Sequence, residues 1–166
     1  MSARFGRLPW LWLSLLVFVI DQASKFYFDN ALTMYQQIVV IPDYFSWTLA
    51  YNTGAAFSFL AGASGWQRWL FAVIAIVISA VLVVWLKRLK PDETWLAMAL
   101  ALVLGGALGN LVDRVIFGHV VDFILVHWQH RWYFPAFNVA DAAITLGAIL
   151  LALDMFKSNK SGETTP

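Results

Sequence analysis

Apolar residues in this chain gather in four long runs, at roughly residues 8–28, 69–86, 94–112 and 139–156, instead of alternating with polar ones. Each run approaches the ~20 mostly apolar residues that a helix needs to cross a hydrocarbon core. The pattern therefore predicts a membrane protein, an all-α bundle of four transmembrane helices. Arg4 and Arg7 ahead of the first run imitate a secretory signal, but the run meets Asp21, Gln22 and Lys25 where a small-residue cleavage site would stand, so it reads as a retained span. The second and third runs are separated by KRLKPDE, residues 87–93, with the helix breaker Pro91. With four spans, Arg4 and Arg7, this cationic turn, and Lys157 and Lys160 all fall on one side, which the positive-inside rule makes cytoplasmic.

The segments on the opposite side have a different pattern. The first outer loop, residues 29–67, contains IPDYFSWTLAYNTGAAF, where Pro42 and Asp43 form a turn and the following aromatic and β-branched residues partly alternate. The second, residues 119–138, has the same aromatic, β-leaning character. Together they predict a small β-cradle on the outer membrane surface, with a short interfacial helix in FSFLAGASGWQRW. Trp10, Trp12, Trp85 and Trp95 mark the inner membrane boundary, and Trp47, Trp66, Trp69, Trp128 and Trp132 the outer one, as indole favours the headgroup region. The third span carries Ala101, Gly105 and Gly109 at every fourth position, a stripe that lets helix backbones approach. Ala142, Ala143, Gly147 and Ala148 give the fourth span a similar composition. Residues 1–157 read as one integral-membrane domain, and 158–166 as a disordered polar tail.

Composition narrows the chemistry. The 166 residues are 61% hydrophobic and 13% charged, and a formal net charge of +1 supplies no basic field for nucleic acid. The absence of cysteine excludes disulfides, cysteine-ligated zinc and thiol nucleophiles.

Against that apolar background, carboxylates stand out, because a charge at mid-helix in a membrane costs roughly 2.5–3.5 kcal/mol on insertion scales. Asp122 and Asp141 bracket the second outer segment. Asn110, Asp113 and Arg114 share one face at the end of the third span, and Asn52 beside Gly54 supplies an amide next to a tight backbone turn. Asp21 and Lys25, four residues apart, read as a buried structural ion pair. Asp154 lies 13 residues beyond Asp141 along the fourth span, roughly 20 Å at 1.5 Å per residue, and is left outside the site. Position alone leaves two readings of Asp122 and Asp141: interfacial carboxylates, with Asp141 in the first turn of a helix, or an aspartyl pair. Two carboxylates brought close share a proton near neutrality, so one can activate water while the other polarises a carbonyl. His119, His127 and His130 lack HEXXH or any recognised ligand spacing, and Ser46, Ser58 and Ser64 have no evident base. A proton- or ion-coupled transporter is the alternative from another class, although the acids lie at one edge and no repeat is visible.

Five stretches in order carry a resemblance: DQASK at 21–25, YNTGAAF at 51–57, GGALGNLVDR at 105–114, VVDF at 120–123 and FNVAD at 137–141. In these motifs, and over nearly its whole length, the chain resembles the signal peptidase II family of bacterial lipoprotein signal peptidases, which are intramembrane aspartic proteases. The resemblance implies both termini in the cytoplasm and a site near the periplasmic face of the inner membrane. It implies a prolipoprotein substrate cut just before a cysteine that already carries diacylglycerol. It further implies Asp122 and Asp141 as catalytic dyad and Asn52, Gly54, Asn110, Arg114 and Asn138 around the substrate, with Asp21, Lys25 and Asp113 as structural support. No metal or other cofactor is expected, membrane lipid and globomycin-type inhibitors are the other expected partners, and a monomer is the expected state.

Overall fold

A computed structural model describes residues 6–54, 65–129 and 131–162. A 3₁₀ turn at Leu8–Trp10 leads into helix α1 (Leu11–Ala31). Strands β1 (Gln37–Ile41) and β2 (Phe45–Asn52) follow, then helices α2 (Trp66–Arg88) and α3 (Thr94–Ile116), strands β3 (Val120–Trp128) and β4 (Trp132–Tyr133), and helix α4 (Val139–Gly162). Each of the helices is long and apolar enough to cross a membrane.

The helices are not equivalent. In α3 more than half of the apolar window is buried, 56%, against 17–22% in the other three. It is the central post, packed by α1, α2 and α4. Its small residues are the reason. A Cβ on Gly105 would stand 2.6 Å from the Ser14 carbonyl oxygen of α1, and one on Gly106 would stand 2.4 Å from the Ala140 carbonyl oxygen of α4. On α4, a Cβ at Gly147 would come within 2.8 Å of the Ala99 oxygen. Close backbone approach is what holds helices together where lipid removes the hydrophobic drive. Ser14 also donates its hydroxyl to the Ala101 carbonyl at 2.8 Å. The outward faces of α1, α2 and α4 expose Leu15, Val19, Val73, Val77, Leu146 and Leu153, a surface suited to acyl chains.

The strands form one antiparallel sheet in the order β1-β2-β3-β4, so each outer segment contributes a hairpin and the two join along β2 and β3. A bulge between Trp47 and Ala50 shifts the β2–β3 register, after which Ala50 stands opposite Asp122. Phe28 of α1 stacks on Phe123 at 4.4 Å and meets Trp47 at 4.8 Å, fastening the sheet to the bundle. Trp47 thus packs within this aromatic cluster at the end of α1.

Several boundaries differ from the sequence reading. Helix α2 begins at Trp66 and includes Gln67 and Arg68, because helical hydrogen bonding does not stop where apolarity does. Residues 158–162, expected to open a disordered tail, continue α4 as a helix for the same reason. Most of the segment expected to hold an interfacial helix lies outside the described residues.

Gly106→Ala should push α4 off α3. The expected loss is about 1–3 kcal/mol of stability, seen as a lower Tm in detergent. An unchanged Tm would show that the α3–α4 contact is looser than described.

Candidate active site

The site is built where the outer ends of α1, α3 and α4 meet β3. Its local origin is the start of α4, whose first N–H groups have no helical partners. Asn138, just ahead of the helix, accepts the Asp141 N–H on its Oδ1 at 2.9 Å in N-cap fashion. Asp21, from α1, accepts the Ala140 N–H on its Oδ1 at 2.8 Å. Asp141 therefore sits in the first helical turn, where the helix dipole favours its charge.

Asn138 also links the two acids. Its Nδ2 donates to Asp122 Oδ1 at 2.7 Å, while its oxygen holds the Asp141 backbone. Asn110 Nδ2 donates to Asp141 Oδ1, also at 2.7 Å. Asn52 adds a hydrogen bond to the Asp122 carboxylate. Asp122 and Asn138 are 2% and 0% exposed, whereas Asp141 is half-buried. Burial, reinforced by the nearby Asp141 charge, pushes the Asp122 carboxyl up to about 7, and the Asn138 and Asn52 hydrogen bonds and the Lys25 charge oppose that rise. The arrangement brings two carboxyl groups into electrostatic contact with one of them poised to hold a proton near neutral pH.

Behind the pair lies a charged cluster. Lys25 Nζ is 2.8 Å from Asp21 Oδ2 and 2.9 Å from Asp113 Oδ2. Asp113 Oδ2 also accepts the Val121 N–H at 3.2 Å, which positions β3 one residue before Asp122. Gln22, named in the sequence but not assigned to the site, donates to Asp113 Oδ1 at 2.9 Å and to Asp21 Oδ2 at 3.2 Å. Its neighbours in DQASK were the available signal, since a polar residue flanked by Asp21 and Lys25 on a membrane helix needs partners of its own.

In front of Asp141 opens a cavity of about 670 Å³, which buried Asp122 does not line. Asn52, Asn110, Arg114 and Asp141 line its polar end, and Phe71, Ile74, Ile78, Ile144 and Ile149 of α2 and α4 its apolar walls. Arg114 lies over the Phe71 ring at 5.5 Å and donates to the Gly54 carbonyl at 3.0 Å, while the Gly54 N–H donates to Asn52 Oδ1 at 3.0 Å. A mostly apolar pocket with a few convergent polar groups is the usual form of a binding site.

The other candidates lie elsewhere. His119 packs on Tyr51 with ring centroids 4.2 Å apart, and buried His127 contacts Ser46 Oγ through Nε2 at 3.2 Å. His130, Ser58 and Ser64 lie outside the described residues. Asp154 sits near the far end of α4, away from both acids.

The sequence pattern of the family described as signal peptidase (SPase) II matches residues 13–157. The chain belongs to this family. Among its relatives is the lipoprotein signal peptidase of Pseudomonas putida KT2440, 82% identical over 160 residues that cover 96% of this chain and 94% of the relative. That of Pseudomonas syringae pv. tomato DC3000 is 79% identical over 163 residues, covering 98% and 94%. Two solved structures, each titled as a bacterial membrane enzyme, superpose on it. One has a TM-score of 0.84 at 29% identity, covering all of this chain and 98% of the other, and the second has 0.76 at 30%, covering 95% and 99%. Signal peptidase II membership makes the chain a multi-pass membrane peptidase, and the polar end of the cavity is the place to look for its chemistry.

The raised Asp122 carboxyl has a stability consequence. An unfolded aspartate ionises near 3.8, whereas folded Asp122 keeps its proton to about 7. The native state thus binds more protons between those values, and its stability falls as pH rises through that window. Asp122→Asn removes the penalty, so at pH 8 the variant should be more stable than the parent by on the order of 2–4 kcal/mol, with the gain fading towards pH 4. Thermal unfolding in detergent across that range measures it, and a variant less stable at pH 8 would contradict the assignment.

Proposed function

We propose that this chain is an aspartic endopeptidase that removes signal peptides from lipoprotein precursors, cutting before a cysteine that already carries diacylglycerol. The observation that carries the reading is that Asn138 bridges Asp122 and Asp141, with Asp141 lining the polar end of an apolar cavity and Asp122 buried behind it. At neutral pH the pair holds one proton. The ionised carboxylate takes a proton from water, whose oxygen attacks the scissile carbonyl, while the protonated carboxyl gives its proton to the carbonyl oxygen. Collapse of the tetrahedral intermediate breaks the C–N bond, the leaving nitrogen takes the proton from the first carboxyl, and the intermediate's hydroxyl returns one to the second. No covalent enzyme intermediate forms. Arg114 and Asn52 hold the backbone at Gly54 and present donors to the substrate chain.

The substrate class fits the geometry. Acyl chains on a cysteine stay in the bilayer and present the adjoining peptide bond near headgroup level. The apolar walls from α2 and α4 then receive the acyl chains or the signal helix, and globomycin-type inhibitors occupy the same space. The distribution of cations supports a cytoplasmic α2–α3 turn and cytoplasmic termini, with the site facing the periplasm from the inner membrane. The working unit in this reading is a monomer.

Purified protein should cleave a diacylglyceryl precursor and leave the unlipidated precursor intact. Asp122→Asn and Asp141→Asn should each lower cleavage by at least ~10³-fold while still accumulating in the membrane. Equal cleavage of both precursors would remove the substrate reading. Full activity in either variant would remove the dyad.

A further inference from the structure

Lys25 is 3% exposed, and a buried ammonium is tolerated only when its protons are satisfied. Asp21 and Asp113 take two of them. The third goes to Asn110 Oδ1 at 2.9 Å. An ammonium only donates, so the amide of Asn110 must turn its oxygen towards Lys25, which leaves its Nδ2 facing Asp141. The same oxygen accepts Asn138 Nδ2 at 3.3 Å. That contact reinforces the orientation that the Asp141 N–H and the Val121 carbonyl give the second amide, with nitrogen towards Asp122 and oxygen towards the Asp141 N–H.

We propose that Lys25 is a positioning residue for the peptidase reaction: it sets the polarity of the Asn110 amide, and through it reinforces that of Asn138, so that Asn110 turns an N–H to Asp141 and Asn138 turns one to Asp122. The inference rests on the aspartic reading above. Were the Asn110 amide reversed, its carbonyl oxygen would face Asp141, a contact acceptable only to a protonated carboxyl. Reversal at Asn138 would do the same to Asp122. Both acids would then hold protons and no base would remain. Lys25 thereby keeps the pair in its singly protonated form, a task an ion pair with Asp21 alone does not require. The charged groups around the pair are Asp21 and Lys25 on α1 and Asp113 and Arg114 on α3, while β2 contributes the neutral Asn52 and α2 the Phe71 ring beneath Arg114.

The test compares Lys25→Gln and Asp113→Asn, with kcat, KM and the pH profile on lipidated precursor expressed per folded molecule. Lys25→Gln should lower kcat about 100-fold with KM within about threefold, as misplacement of a reacting group does. The acid limb of its activity profile should move to higher pH, because a cation that favours ionised carboxylates is gone. Asp113→Asn keeps Lys25 in place and removes a neighbouring anion, so its acid limb should move to lower pH. A purely structural cluster predicts a smaller folded fraction in both variants with unchanged kcat and limb per folded molecule, and that result overturns the proposal. If Lys25→Gln fails to fold, Lys25→Arg, which keeps the charge but not a single nitrogen shared by Asp21, Asp113 and Asn110, decides instead: a lowered kcat with KM held supports the proposal, and a parental kcat overturns it. Should Asp122→Asn or Asp141→Asn remain active, the aspartic reading itself fails. If those two are dead while Lys25→Gln and Asp113→Asn behave like the parent, only the role of Lys25 is lost.

Discussion

One ammonium inside a lipid-facing bundle constrains everything around it. Lys25 cannot be left unpaired in that setting, and the groups that satisfy it come from two helices: Asp21 from its own, and Asp113 and Asn110 from α3. Each of those partners has a second task. Asp21 holds the first turn of α4, Asp113 holds β3 beside Asp122, and Asn110 holds Asp141. The charge is thus the junction at which three helices and the sheet meet. Removing it would strand two buried carboxylates.

That junction can form only because the helices come unusually close. Gly109 stands where any Cβ would lie 2.4 Å from Asp21 Oδ2, so the residue that makes room for the carboxylate is part of the electrostatic design. Gly105 and Gly106 extend the same approach to α1 and α4. Packing and polarity are one problem here, since the polar groups gain their partners only at glycine distance. Asp122 carries a different cost. Its burial disfavours ionisation, a burden typical of groups kept for chemistry instead of stability.

Much of this was legible in the residues. Four apolar runs of spanning length forced the helices, and the small-residue stripe predicted the close contact between them. The first-turn position of Asp141 followed from the way a helix start attracts an acid. Less legible was anything that depends on a distant partner. Nothing near Asp21 in sequence announces that its second oxygen caps a helix 119 residues away. Gln22 reads in the sequence only as a polar residue interrupting the first apolar run, and it bridges Asp21 and Asp113. The composition rule for interfaces says nothing of the rings Trp47 packs against, Phe28, Phe45 and Phe123. The ends of α2 and α4 were missed because hydropathy measures where lipid stops, whereas a helix stops where its hydrogen bonds do.

The central claim is that Asp122 and Asp141 activate water directly and form no bond to the substrate. A single turnover with enzyme in excess, run in H₂¹⁸O on a diacylglyceryl precursor, reads this in the products. The account predicts one heavy oxygen in the new carboxylate of the released signal peptide and none in the enzyme. Unlabelled product together with ¹⁸O in the side chain of Asp122 or Asp141 would mean that a carboxylate had attacked the peptide bond, and would contradict it.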